Sequence, residues 1–298
     1  MTPYLHRQLL FFINKKVYLK KPVEFILFSS IFIALCAVGF CIETNILLGL
    51  PLNSISFYCF VFGATLLQYN LHYSTKKIAV KNSERLKWSM NNKNIHFSLL
   101  IIAGILIFFS FFSFHLKHFL ILGCLGAISF LYSFPFLPFG KKKRIKDYGF
   151  LKIVTLSLLW TLVTVWFPVN TMPHDKILFA FVFAKRFIFM FILCLLFDLR
   201  DIEIDQKENI QTIPVALGKK NCYLLSYLLL ALFLAISFFQ FLYSGQILFL
   251  VAITISTIVT FLIIQRTQKT NSDFIYLAGI DGMMLLQALL VYLFSLKL

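Results

Sequence analysis

The chain has 298 residues, of which 60% are hydrophobic, 17% aromatic and only 13% charged, and its formal net charge is +16. Soluble domains are about 45–50% apolar and about 25% charged, so this composition excludes a soluble fold, and its hydrophobicity excludes a disordered chain. The apolar runs are continuous rather than alternating, which excludes a porin-type barrel; the six cysteines lie in or beside those runs without a C-x-x-C pair, which excludes a disulfide or zinc scaffold.

Residues 1–22 carry Arg7, Lys15, Lys16, Lys20 and Lys21 among Leu9, Leu10, Phe11 and Phe12. That pattern predicts a cytoplasmic segment lying in the membrane interface. No small-residue cleavage site follows the next apolar run, so the stretch is not read as a signal peptide. Nine apolar segments come next: Val23–Ile42, Leu47–Tyr69, Ile95–Phe114, Phe119–Phe136, Ile153–Pro168, Ile177–Phe197, Cys222–Tyr243, Ile247–Ile264 and Phe274–Phe294. A membrane-crossing helix needs about 20 apolar residues. Residues 1–298 are therefore expected to form a single all-α, multi-pass membrane domain, with residues 23–298 as a nine-helix bundle.

The cations set the expected orientation. With the N-terminus cytoplasmic, 23 of the 28 Lys and Arg fall on the cytoplasmic side; only Lys117, Lys176 and Lys297 fall outside. Positive residues collect on the cytoplasmic face, so the N-terminus is expected inside and the C-terminus outside, most simply in a bacterial inner membrane. The charge needs no nucleic-acid partner. Lys185 and Arg186 lie within the sixth span and Asp281 within the ninth, and Arg186 with Asp281 is a candidate buried pair.

The chain has 12 acidic residues, and five of them (Asp198, Asp201, Glu203, Asp205 and Glu208) fall within 11 positions at the cytoplasmic end of the sixth span. Asp198, Asp201 and Asp205 are spaced i, i+3, i+7, one face of a helix continuing from that span. Carboxylates so arranged repel one another unless a cation sits among them. A hard, oxygen-seeking ion, Mg²⁺ above all, fits, and it keeps positions open for substrate phosphates. The plainer alternative is a solvated acidic loop balanced by nearby lysines.

Phe197-Asp198-Leu199-Arg200-Asp201-Ile202-Glu203-Ile204-Asp205, followed by Thr212-Ile213-Pro214-Val215-Ala216-Leu217-Gly218, resembles the second aspartate-rich motif of the UbiA superfamily of intramembrane prenyltransferases. Asn209 stands where that family often has Gly; Asn is the next-best residue for a left-handed backbone, so the turn is expected to survive. Tyr132-Ser133-Phe134-Pro135 and the basic run Lys141 to Arg144 are similar to the stretch after the family's fourth helix. The first aspartate-rich motif, after the second helix, is reduced here to Asn70, with Leu71, Ser74 and Ile78 at the aspartate positions.

The resemblance implies nine helices around a central cavity and a Mg²⁺-dependent transfer of an isoprenoid chain from a prenyl diphosphate to a lipophilic, often aromatic, acceptor within the membrane. It assigns Asp198, Asp201 and Asp205 as metal ligands. With Asn70, these are the expected catalytic residues. Arg200, Lys141, Arg144, Lys76, Lys77, Ser74 and Tyr132 are expected around the diphosphate, the two lysines replacing charge lost with the first motif. A second reading is a UbiA-fold protein that binds prenyl lipids without turnover. A third, a transporter, is disfavoured because the carboxylates gather at one surface rather than at the midplane.

Overall fold

The computed structural model describes residues 21–75, 84–114, 116–133, 149–169, 175–207 and 209–297. Every apolar segment of the sequence contains a helix, and among the described residues there is no strand. A helix over residues 21–28 (α1) leads into α2 (Ile31–Leu47), the two bent by 63°. The bend sits at Ser30, whose φ of 70° is left-handed. Then follow α3 (Ile55–Thr75), the short α4 (Glu84–Asn91), α5 (Lys93–Phe111), α6 (Leu116–Ser133) and α7 (Gly149–Thr161) with a π-helical extension (Leu162–Trp166). The C-terminal half holds α8 (Lys176–Arg200), α9 (Ile202–Lys207), α10 (Ile213–Ser244), α11 (Ile247–Thr267), a π-helical turn (Ile275–Ile280) and α12 (Gly282–Ser295).

Six of these helical stretches are long and apolar enough to cross a membrane, or seven if the bent α1–α2 pair is one span. Two of the nine expected spans correspond to shorter apolar helices, Ile55–Leu71 and His118–Ser129. The chain is an integral, multi-pass membrane protein.

Neighbouring helices form an almost continuous circuit. α2 packs between α3 and α12, α3 against α5, α6 against α7, α8 between α7 and α10, and α11 between α10 and α12. α8 runs through the core: Phe189, Ile192, Leu193, Leu195 and Leu196 are fully buried along one stretch of it. Its Phe189 packs edge-on against Phe40 of α2 and at a tilt against Phe233 of α10. The outer faces are the reverse of a soluble protein's. On α5, Phe97, Ile101, Ile105, Phe108 and Phe112 form an exposed apolar stripe, which lipid satisfies and water would not.

At the end of the bundle where α2 meets α3, side-chain amides secure the turn. Asn45 donates to Pro51 O at 2.7 Å, and Asn53 donates both to Asn45 Oδ1 at 3.1 Å and to Pro168 O at 3.2 Å. The opposite end, where α8 stops and α10 begins, carries the acidic motif.

Candidate active site at the end of α8

Asp198 lies on the last turn of α8. The helix stops at Arg200, and Asp201 occupies a turn with φ −92° and ψ 7°. A second short helix, α9, carries Asp205. The acidic row therefore does not continue along one helix, and the break sends its members in two directions.

Asp198 and Asp205 come together. Both are buried, each 5% exposed. Between them stands the ammonium of Lys152, with Nζ 2.8 Å from Asp198 Oδ1 and 3.9 Å from Asp205 Oδ2. Asp198 Oδ2 is buried and has no hydrogen-bond partner among the described residues. Lys152 comes from the first turn of α7, where its sequence position suggested only a cytoplasmic loop charge.

Two backbone features bring these parts together. Gly149, the first residue of α7, lies so close to the stretch of chain before α10 that a Cβ there would collide with the Gln211 carbonyl. Only glycine allows that approach, and Lys152 follows three residues later. Asn209 has φ 54°, the left-handed conformation expected of it, and Ile210 N–H bonds Asp205 O at 2.9 Å across the turn. Pro214 then starts α10, and Gly218 kinks it with φ 78° and ψ 161°, a combination open essentially to glycine alone.

Asp201 belongs to a different group. Its carboxylate is gripped by Arg200, whose Nε lies 2.8 Å from Oδ1 and Nη2 3.1 Å from Oδ2. The same guanidinium reaches Asp273 Oδ1 at 3.7 Å and lies over the rings of Phe197 and Tyr276, 5.1 and 5.3 Å from their centres. Asp273 Oδ2 also accepts from Arg85 N–H at 3.1 Å, which ties α4 to the loop after α11. Arg200, expected at a diphosphate, is thus already engaged by two carboxylates, and Asp201, expected beside Asp198, faces Arg200 instead. Among the described residues no three His, Cys, Asp or Glu side chains form a group that could hold a metal ion.

Asn70 also departs from expectation. It is fully buried, and its amide Nδ2 donates to Ser29 O at 3.1 Å and to Leu66 O at 2.8 Å. Its Oδ1 meets the Nδ1 of His96 on α5 in a short hydrogen bond. These bonds use both amide hydrogens, so Asn70 stitches the α1–α2 bend and α5 to α3 and has no donor left for a diphosphate. Lys76, Lys77, Lys141 and Arg144 lie outside the described residues, as do the side chains of Ser74 and Tyr132.

The expected Arg186–Asp281 pair is replaced by another. Arg186 Nη2 lies 3.3 Å from Glu43 Oε2 on α2, and Gln287 of α12 donates to Glu43 Oε1 at 2.8 Å. The guanidinium carbon sits 3.4 Å from the centre of the Phe40 ring. Sequence reasoning passed over Glu43, Lys152, Asp273 and His96. The one available signal was Lys152 itself, a lysine at the very start of an apolar segment on the same side of the membrane as the acidic cluster.

The UbiA prenyltransferase family model matches residues 87–278, a stretch that contains the acidic motif and Lys152 but begins beyond Asn70. Among solved structures, a UbiA homologue from Archaeoglobus fulgidus bound to GPP and Mg²⁺ superposes with a TM-score of 0.63 at 14% identity, covering 91% of this chain and 99% of that one. The Cd²⁺-bound form of that homologue gives 0.59 at 14% identity, with 90% and 99% covered. A structure of digeranylgeranylglyceryl phosphate synthase in membranes gives 0.54 at 17% identity, with 94% and 100% covered. Comparison with curated proteins gives no match. The structural likeness is one of fold, and the family match spans most of the chain. A helical membrane bundle that carries the second acidic motif at one end agrees with both, and the chain belongs to the UbiA prenyltransferase family.

Proposed function

We propose that the protein transfers an isoprenoid chain from a prenyl diphosphate to a lipophilic acceptor within the membrane, and that Asp198 and Asp205 are the residues on which the diphosphate end of the reaction depends. The observation that carries this reading is the pair of buried carboxylates drawn together at one end of the bundle, with Asp198 Oδ2 unpartnered. Burying carboxylates is costly even where a cation meets them, so the fold retains this pair at some cost in stability.

The pair fits Mg²⁺. That ion is commonly held by one or two carboxylates and completes its shell with water and substrate phosphate oxygens. Asp198 and Asp205 would hold it, and when bound it supplies charge to a departing diphosphate. The chain's own groups do the rest. Lys152 adds positive charge at the same corner. The Arg200–Asp201–Asp273 group holds the end of α8 in place. The apolar helices offer the prenyl tail a dry environment in which water does not compete with the acceptor. The acidic corner is proposed to face the cytoplasm, with the C-terminus on the other side.

The test is incubation of the purified protein with a radiolabelled prenyl diphosphate, with and without Mg²⁺. Mg²⁺-dependent release of diphosphate, abolished by Asp198→Asn, is the expected result. The degraded first motif, with Leu71 and Ile78 at aspartate positions, favours a second reading in which prenyl lipids bind without turnover. Tight binding with no release at any Mg²⁺ concentration would select it.

A further inference from the structure

At the corner proposed above, the space a bridging ion would take is held by a side chain. Lys152 Nζ contacts Asp198 Oδ1 at 2.8 Å and lies 3.9 Å from Asp205 Oδ2, and both carboxylates are buried. Two carboxylates this close repel one another, and a cation between them removes the repulsion. An ammonium does so with one charge on a flexible stem. A divalent ion does so with two charges, and it needs the same oxygens at about 2.1 Å. An ion bridging the pair and an ammonium still held on Asp198 Oδ1 would stand roughly 4 Å apart and repel one another.

We infer that Lys152 is a tethered counter-ion of the Asp198–Asp205 pair, and that a divalent cation loads the pair only by displacing it. The inference rests on the reading of that pair as the metal-holding group. Three further observations bear on it. The backbone under Lys152 is set by the Gly149–Gln211 approach, so the stem's origin is fixed relative to the start of α10. The Lys152 side chain is 24% exposed against 7% for each carboxylate, so its head has somewhere to go while the acids stay in place. Asp198 Oδ2, already without a hydrogen-bond partner among the described residues, is an additional oxygen that the incoming ion can use and the ammonium does not. The displaced ammonium remains on its tether at the same end of α8, where it can meet the anionic head of the substrate. Metal loading and diphosphate binding are therefore coupled through one side chain, and Lys152 is a positioning residue whose presence weakens metal binding in the absence of substrate.

Mn²⁺ titrations of the full-length protein in detergent, followed by loss of the free-ion electron paramagnetic resonance signal, test this. Lys152→Gln should bind Mn²⁺ about tenfold more tightly than the unmodified protein, the worth of one charge-assisted contact. Lys152→Arg should bind like the unmodified protein, and Lys152→Gln with Asp198→Asn should lose the tight site. Folded Lys152→Gln binding no more tightly than the unmodified protein overturns the inference; if Asp198→Asn still removes that binding, the metal-pair reading stands. Lys152→Arg binding as tightly as Lys152→Gln overturns it as well. No Mn²⁺ binding in any variant overturns both. A second measurement needs no substitution: acetylation of Lys152 by an N-hydroxysuccinimide ester, read by peptide mass spectrometry, should rise several-fold when Mn²⁺ is added. Unchanged reactivity at saturating Mn²⁺ refutes displacement.

Discussion

Arg186 and Asp198 stand on the same helix, α8, about 18 Å apart by helical rise, and the charged groups around them are assembled in different ways. Around Arg186, two other helices supply the surroundings: α2 gives Glu43 and the Phe40 ring beneath the guanidinium, and α12 gives Gln287, which donates to Glu43. All three polar residues are buried, at 1–3% exposure, with apolar helix above and below. Around Asp198, the partners come from helix ends and the turns between them: Lys152 at the start of α7 and Asp205 on α9. A polar group in mid-bundle ties helices together, because its charges have no other way to be met. One at a helix end lies where its cation is partly open to solvent, and on the inference above that cation can be exchanged. Burial alone therefore does not distinguish the two groups; what distinguishes them is that the cation beside Asp198 is partly exposed and the one beside Glu43 is not.

The sharpest way to break this comparison is to remove Glu43. Glu43→Ala strands the Arg186 charge in the bundle, and the expected loss is about 3–5 kcal/mol, large enough to prevent folding. Thermal unfolding in detergent measures it. Replacing both partners, Glu43→Gln with Arg186→Met, should recover most of that loss, since neither half of the pair is left without the other. A double variant as unstable as the single one would mean that the charges, rather than their pairing, hold the helices.

Asp198→Asn should act on the other side of the comparison. It removes a carboxylate and keeps the shape, so diphosphate release is expected to fall about 100-fold, the scale seen when groups around a metal are altered. The melting temperature should move little, because the Lys152 ammonium it frees is partly exposed and keeps Asp205 as a counter-ion. A large destabilisation with release per folded molecule unchanged would place Asp198 in the same class as Arg186.

Asn70 sharpens the boundary between the two classes. Its hydrogen bonds to Ser29 O, Leu66 O and His96 make it a structural residue in spite of its position at the remnant of a motif. Asn70→Ala should cost about 1–3 kcal/mol of stability through the partners it leaves buried, while the affinity of the folded fraction for a prenyl diphosphate stays within about twofold, measured by filter binding. A tenfold loss of affinity at unchanged stability would return Asn70 to the site. The smallest effect is expected at Asn209. Replacing it with Gly should leave stability within about 0.5 kcal/mol, whereas Asn209→Ala should lower it by about 1 kcal/mol, because only the former suits a φ of 54°.

These residues also show how much could be read in the sequence. Asn209 was legible because the conformation it takes is a local property of one residue and its turn. The helices were legible because an apolar run of about 20 residues has only one way to satisfy its backbone in lipid. The acidic motif was legible as a cluster, yet its spacing pointed to one continuous face, and the turn at Asp201 divides it. Spacing describes a face only while the helix lasts. The partners of Asn70 were not legible, because its motif position says nothing of His96, which lies on another helix.

What the amino-acid sequence determined by itself is the class of the molecule, its helical segments, the imbalance of its charges and the place of its acidic motif, all of which follow from composition and short-range pattern. Only the tertiary structure decided the partners: Lys152 with Asp198 and Asp205, Arg200 with both Asp201 and Asp273, Glu43 with Arg186, Asn70 with His96. The reason is physical. Helices that are apolar on nearly every side pack equally well in many rotations as far as hydrophobicity is concerned, so the few polar groups among them find one another through the packing geometry, and no local pattern records which of them will meet.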